Sequence, residues 1–429
     1  MPVTDDRASR RPANAGGDGG AFARDPATPI ELSVVIPCLD EAETLPTCIE
    51  KAQRAIAEHG IVAEIIVADN GSVDGSPELA ATLGARVVSV PARGYGSALM
   101  GGIAAARGRF VIMGDADDSY DFGELPRFLE GLRGGADLVQ GCRLERGGGT
   151  ILPGAMPLLH RRLGNPALSS LARRWFRAPI SDVYCGLRGF RREHYEALDQ
   201  RCTGMEFATE MIVKSAMAGA RMTEVPITLH PDGRSAHPPH LRTVRDGWRT
   251  LRLLLLYSPR WLFLAPGLLL IVLGLVAFAA ALPGVRALGV HFDAHTLLFG
   301  LMALVCGYQS VLFAITTKVL AISQRLLPPD ARVMRLLAVA TLERSLLAAA
   351  TAFGGGLLLL MLAVNRWRLN GYGALPYAST MRLVVPGVLL VVLAFQTMLT
   401  AFFISVMRLA TPPTEDGAAV RPPTGDDAT

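Results

Sequence analysis

Past residue 260 the sequence holds four apolar, almost uncharged runs, at 261–282, 296–317, 338–364 and 383–407. A helix of about 20 apolar residues matches the hydrocarbon thickness of a bilayer, a length that buried helices of a globular core do not require. The four runs are therefore expected to span a membrane, with both flanks of the set on one side of it. Before residue 260 apolar and polar stretches alternate as in a water-exposed domain. The 429 residues thus have room for one catalytic-size domain followed by a membrane unit.

Charge placement suggests an orientation. Arg242, Arg245, Arg249, Arg252 and Arg260 lie directly before the first run, and Lys318, Arg325, Arg332 and Arg335 lie between the second and third. Only Arg286 lies between the first and second, although Arg366, Arg368 and Arg382 crowd the last loop. Basic loops stay on the cytoplasmic side, so the N-terminal domain is expected in the cytoplasm, at the inner (plasma) membrane. Residues 236–260 read as an interfacial helix: Leu241, Val244, Trp248, Leu251, Leu254 and Leu255 recur at helical spacing, with arginines on other faces. Residues 1–29 and 409–429, rich in Gly, Ala, Pro and Asp, read as disordered tails, and no secretory leader is expected. The six cysteines show no CxxC pair and no neighbouring His cluster, which excludes a zinc site and a disulfide framework and fits a reducing compartment.

Between 30 and 235 the pattern is that of βαβ units. Leu32-Ser-Val-Val-Ile-Pro37, Glu64-Ile-Ile-Val-Ala68, Arg86-Val-Val-Ser-Val90 and Phe110-Val-Ile-Met113 are short β-branched runs. Helical spacing over 41–59, 77–84 and 97–107 separates them, which predicts a mainly parallel sheet. Ligands of such sheets bind beyond the carboxyl ends of the strands. Asp69 and the cluster Asp115-Ala-Asp-Asp118 both follow strands, so both are expected at one crevice. Further on, helices are predicted over 163–176 and 207–218, and strands at 138–140, 186–190 and 225–229.

Asp115 and Asp117 form a D-x-D at a strand end. Two carboxylates in a turn offer hard oxygen ligands to Mg2+ or Mn2+ and leave positions open for phosphate. Gly94-Tyr-Gly-Ser-Ala-Leu99 has the first two glycines of a dinucleotide fingerprint but not the third, and it follows the third strand rather than the first. It reads instead as a helix start at which Gly96 lets backbone approach a diphosphate, or as a plain loop-to-helix turn.

Val34-Val-Ile-Pro-Cys-Leu-Asp-Glu41, Ile66-Val-Ala-Asp-Asn-Gly-Ser-Val-Asp-Gly75 and Met113-Gly-Asp-Ala-Asp117, in this order and spacing, resemble family 2 glycosyltransferases, more closely the dolichyl-phosphate mannose or glucose synthase group. The resemblance continues through Gly141-Cys-Arg143, Asp182-Val-Tyr-Cys-Gly-Leu-Arg-Gly-Phe190 and Gly204-Met-Glu-Phe207, and covers about 30–260. It implies a GT-A fold and inverting transfer of a hexose from a nucleotide-sugar, UDP-glucose or GDP-mannose, to a polyprenyl or dolichyl phosphate. By the same resemblance Pro37, Leu39 and Glu41 cradle base and ribose, although many relatives carry an aromatic where Leu39 stands. Asp69 accepts from the base, Asp117 binds metal, Asp115 binds metal or ribose, and Asp118 supports them. The acceptor phosphate falls to Arg143 and to Arg161 or Arg162, with Arg234 and Ser235 in the loop before the membrane. Guanidinium suits phosphate through paired hydrogen bonds. Glu206 and Glu210, one helical turn apart, are placed to contact sugar hydroxyls or to orient an arginine. No nucleic-acid partner is expected.

Two other readings are open. A processive polysaccharide synthase would carry T-E-D and Q-x-x-R-W motifs. Here Thr209-Glu210 is followed by Met211, and Leu171-Ala-Arg-Arg-Trp175 lacks the Gln and comes too early. An inactive transferase-like membrane scaffold would have no need of Asp69, Asp115, Asp117 and Arg143 together.

Overall fold

The computed structural model describes residues 29–234, 243–287, 290–324, 326–328 and 330–409. They form two compact units that divide between Leu254 and Leu255.

The first unit is built on nine strands. β1 (Leu32–Cys38), β2 (Ala63–Asp69), β3 (Arg86–Ser89) and β4 (Phe110–Met113) are parallel. β5 (Leu138–Cys142) follows, then β6 (Thr150–Ile151), β7 (Arg188–Arg191), β8 (Met222–Pro226) and β9 (Thr228–Leu229). Seven of them make one sheet in the order β3-β2-β1-β4-β7-β5-β8, in which β7 runs antiparallel to both β4 and β5. β6 and β9 pair separately. The strand order reverses direction at β1, with β2 on one side and β4 on the other. That is where a doubly wound sheet opens a crevice at its carboxyl ends.

The central strands are buried over every residue, as expected of strands rich in Val, Ile and Leu and covered on both faces. The covering helices are α1 (Leu45–Glu58), α2 (Ser76–Thr82), α3 (Tyr95–Ala104), α4 (Leu125–Arg133), α5 (Asn165–Phe176), α6 (Arg192–Leu198) and α7 (Phe207–Met217). Gly102 lets α3 lie close against the sheet, because a Cβ there would stand 2.6 Å from Val35 Cγ1 and 2.9 Å from Ala68 Cβ. α4 has a clear apolar face, Leu125, Phe128, Leu129 and Leu132, all fully buried, and the sequence reading passed over it. The last helix to begin in this unit is α8 (Thr243–Leu256). The expected interfacial helix matches it from Thr243 on; Leu241, Arg242 and Ser235 lie outside the described residues.

The second unit holds α9 (Ala265–Ala281), α10 (Ala294–Ser323), the short α11 (Ala331–Val339), α12 (Leu342–Leu369) and α13 (Tyr377–Leu409). Four helical stretches, Arg260–Ala281, Ala294–Ser323, Leu342–Leu369 and Tyr377–Arg408, are long and apolar enough to cross a membrane. They match the four expected runs: the first within one residue at each end, the second and fourth longer at both ends, and the third displaced toward the carboxyl end because residues 338–339 belong to α11, which was not expected. Small residues bring the spans together. A Cβ on Gly267 would lie 2.9 Å from the Gly307 carbonyl, and one on Gly356 2.8 Å from that of Gly387. Close backbone approach of this kind is what drives helix packing where lipid removes the hydrophobic gain.

Candidate active site

A cleft of about 650 Å³ opens at the carboxyl ends of β1 and β4. Pro37 enters it from the end of β1, Leu39 and Glu41 from the loop that follows, and Asp115 and Asp117 from the loop after β4. Arg143 comes from the end of β5 and Arg234 from the loop after β9. Seven of the residues singled out in the sequence therefore meet in one place.

The acidic floor is ordered by its own hydrogen bonds. The Tyr95 hydroxyl donates to Asp115 Oδ1 at 2.7 Å. Asp117 Oδ1 accepts from the backbone N–H and hydroxyl of Ser119 at 3.1 and 2.6 Å. Burial, then the charge of Asp117, pushes the Asp115 carboxyl up to about 6. Asp118, in a left-handed turn, pairs with Lys51 at 2.8 Å. Asp69, expected at the same crevice, does not line the cleft, although Asn70 beside it does; it is buried and accepts from the N–H groups of Gly71 and Ser72 at 3.1 and 3.0 Å, so it shapes its own turn.

Arg234 knits the cleft together. Its guanidinium reaches Glu41 at 2.8 Å, Asp117 at 3.2 Å and Asp232 at 2.5 Å, and the Gly233 N–H donates to the Asp117 carbonyl at 3.0 Å. One cation thus stands among three carboxylates, with Asp115 adjacent. The remaining negative charge, and the upward shift of Asp115, mark a place that a divalent cation would stabilise. Among the described residues no group of three or more His, Cys, Asp or Glu side chains converges to hold a metal. The chemistry of Asp115 and Asp117 fits a hard cation whose other positions are filled by a ligand's phosphates rather than a closed protein cage.

Arg143 lines the same cleft but is already engaged. Nε and Nη2 donate to the two oxygens of Asp182 at 2.7 and 2.9 Å, and Nη1 donates to the Tyr120 hydroxyl at 3.2 Å. Tyr120 also accepts from the Gly186 N–H at 2.9 Å. The pair is buried, with side-chain exposures of 8% and 0%.

Four more residues singled out in the sequence lie elsewhere. Arg161 and Arg162 line a separate hollow of about 410 Å³ with Arg146 and Arg173, and Arg161 pairs with Glu145 at 2.7 Å. Glu210 is fully buried: burial opposes its ionisation, but Lys214 and the N–H groups of Cys202 and Arg201 hold its carboxyl below the usual range. It anchors the 200–203 segment and does not face the cleft, which corrects the sugar-contact reading. Gly96 is corrected in the same way. It is buried under that segment, and a Cβ there would stand 2.9 Å from both Phe207 Cβ and the Thr203 carbonyl carbon. The Ser97 N–H is taken by the Thr203 carbonyl at 3.2 Å, whereas Gly94, Tyr95 and Ala98 of the same helix start line the cleft. Glu206 leaves one buried oxygen without a hydrogen bond among the described residues, beside Met205, which lines the cleft.

Tyr95, Tyr120, Asp182 and Asp232 complete the site and were not assigned in the sequence. Asn70 joins them: its side chain donates to the carbonyls of Val90 and Ala92 at 2.9 and 2.7 Å and accepts from the Gly94 N–H at 2.8 Å. Three of the five stood inside quoted motifs, where attention went to neighbouring glycines, carboxylates and arginines. Asp232 stood beside Arg234, and an adjacent acid–base pair in a loop was the available signal.

The model of glycosyl transferase family 2 matches residues 33–199, and that of the family 2 C-terminal transmembrane region matches 315–408. The low-salt glycan biosynthesis hexosyltransferase Agl6 of Haloferax volcanii is 42% identical over 283 residues, 66% of this chain and 67% of the relative. A dolichyl-phosphate hexose transferase of the same organism is 33% identical over 46% of this chain and 82% of its own length. Among solved structures, glucosyl-3-phosphoglycerate synthase of Mycobacterium tuberculosis matches with a TM-score of 0.41 and 23% identity, over 55% of this chain and 85% of that one.

Proposed function

This chain belongs to glycosyltransferase family 2 and has the GT-A fold, and from that premise we propose that it transfers a hexose from a nucleotide-sugar to a polyprenyl phosphate with inversion at the anomeric carbon. The observation that carries the reading is the convergence of Glu41, Asp115, Asp117, Arg143 and Arg234 on one cleft beside the sheet's switch point. The similarity to the Haloferax dolichyl-phosphate hexose transferase supports the acceptor class.

Pro37, Leu39 and Glu41 are positioned to flank base and ribose, with Asp69 and Asn70 bracing the adjoining loop. Asp115 and Asp117 would hold Mg2+ or Mn2+. When bound, such a cation neutralises charge developing on the departing nucleoside diphosphate. A phosphate oxygen of the acceptor attacks the anomeric carbon as the bond to the diphosphate breaks. An acceptor already anionic at neutral pH needs no strong base, only neutralisation and alignment. Arg143, fixed by Asp182, and Arg234, fixed by three carboxylates, supply rigid guanidinium donors for that purpose. Arg161 and Arg162, in the neighbouring hollow, add positive potential that draws a lipid phosphate toward the unit. Glu206 remains placed for a sugar hydroxyl. UDP-glucose is the first choice of donor and GDP-mannose the second, and the catalytic unit faces the cytoplasm.

A panel of radiolabelled nucleotide-sugars, each offered with a short polyprenyl phosphate and purified full-length protein, tests the reading. One donor should place label in the lipid extract. Arg143→Ala should cut lipid use about ten- to hundredfold, the loss of a charge-assisted hydrogen bond, while nucleotide affinity by calorimetry stays within about twofold. The opposite pattern would move Arg143 to the donor side.

A further inference from the structure

The membrane unit contains a cavity of about 490 Å³ between α10, α11, α12 and α13. Its walls are leucine, isoleucine and alanine side chains, but five hydroxyls also face it, those of Tyr308, Ser345, Thr397, Thr400 and Ser405. Arg408 stands at its rim, and no carboxylate lines it. The spans alternate in direction, so the carboxyl end of α13 lies at the end of the bundle where Arg260 begins the first span. Arg408 and Thr397 are eleven residues apart on α13, so the cavity reaches about 17 Å inward from that end.

Hydroxyls in membrane helices ordinarily return their hydrogen bond to a carbonyl one turn back. Thr316, Thr351 and Thr397 do so here, donating to Leu312, Leu347 and Leu393 at 3.0, 2.9 and 2.7 Å. Because Thr397 spends its proton on Leu393, Tyr308 is the donor in the 2.6 Å bond between Tyr308 and Thr397. Ser345, Thr400 and Ser405 break the pattern. None of their hydroxyls makes a hydrogen bond among the described residues, and each faces the cavity. Unmet hydroxyls at membrane depth are costly, and Arg408, exposed in the last turn of α13 and without a hydrogen bond or ion pair among the described residues, offers a cation at the end of the cavity.

We infer that this cavity is a binding site for a single-chain lipid phosphate: the phosphate meets Arg408 and the Ser405, Thr400 and Ser345 hydroxyls, and the start of the isoprenoid chain lies along the apolar wall toward Tyr308. Its volume falls within the ~300–1,000 Å³ of small-molecule sites, enough for a phosphate and the first part of one chain. The inference rests on the polyprenyl-phosphate reading of the acceptor and assigns the membrane unit a loading site distinct from the cleft.

The test is photo-crosslinking of full-length protein in nanodiscs with a polyprenyl phosphate that carries a photoreactive group near the phosphate. Label should map to α10 and α13 peptides. Arg408→Gln and the double substitution Thr400→Leu, Ser405→Leu should each weaken labelling about tenfold, while Arg408→Lys retains most of it. Excess phosphatidylglycerol should not compete. Label absent from α10 and α13, unchanged in both variants, or displaced equally by phosphatidylglycerol overturns the inference. A transfer assay on the same samples separates the two claims. Site-specific labelling without transfer leaves the cavity standing and removes the catalytic reading. Transfer without labelling does the reverse.

Discussion

The catalytic cleft and the membrane cavity are furnished in opposite ways. In the catalytic cleft almost every charged group already holds another: Arg143 grips Asp182, Arg234 bridges Glu41, Asp117 and Asp232, and Tyr95 holds Asp115. In the membrane cavity the hydroxyls of Ser345, Thr400 and Ser405 and the guanidinium of Arg408 have no partner among the described residues. The difference follows from what each site must do. A transfer reaction gains from donors and charges fixed before the substrate arrives, since none then has to reorganise in the transition state. A site that only holds a ligand can leave its polar groups to be completed by that ligand.

Substitutions can break this contrast at several strengths. Asp117→Ala should have the largest effect, a loss of transfer of at least about a thousandfold. It removes a carboxylate proposed to hold the metal and also frees Arg234 from one of its three anchors. Circular dichroism should remain that of the wild type, because Asp117 lies in a cleft and not in the core. Asp182→Asn should come next and act on stability. It leaves the buried Arg143 guanidinium without its counter-charge, at a cost of about 3–5 kcal/mol. For a unit of this size that lowers the melting temperature by roughly 10 °C, readable by calorimetry.

A pH series sharpens the account of Asp115. Its native pKa of about 6 lies above the ordinary carboxylate value, because burial and Asp117 disfavour its ionised form. The native state therefore holds the proton more tightly than the unfolded chain. Its contribution to stability is fully present below about pH 4 and is lost as pH rises through about 6. Divalent-cation affinity should run the other way and strengthen through the same window. Asp115→Asn should flatten both dependences, and calorimetric titration with Mn2+ from pH 5 to 7.5 reads them. The smallest effect should come from Tyr308→Phe in the membrane unit. One interhelical hydrogen bond in lipid is worth about 0.6 kcal/mol, so unfolding in detergent should shift only slightly.

The parallel sheet, the four spans and the D-x-D were legible because each is local: a β-branched run, an uncharged stretch, three consecutive residues. Asp115 and Asp117 needed only their own strand to be placed. What could not be read is what the fold joins from afar. Glu41 and Arg234 are 193 residues apart and meet at 2.8 Å, and Arg143 finds Asp182 across 39. Gly96 was misplaced because the backbone it lies close to is that of Cys202 and Thr203, while Gly94 and Tyr95 beside it line the cleft. Glu210 misled because one face of a helix in sequence carries no sign of whether it points out or in. Leu125, Phe128, Leu129 and Leu132, by contrast, carried a readable helical period that the sequence reading left unused.

The measurement that tests the central claim most directly is the partition of a radiolabelled nucleotide-sugar between water and organic phase after incubation with the full-length protein, Mg2+ and polyprenyl phosphate. Label should enter the organic phase only when polyprenyl phosphate is present, as a glycosyl phosphate of inverted anomeric configuration. It should stay in the water with EDTA or with Asp117→Ala. Label that enters the organic phase at the wild-type rate in EDTA, or that accumulates in a growing polysaccharide without any lipid phosphate, would contradict the account.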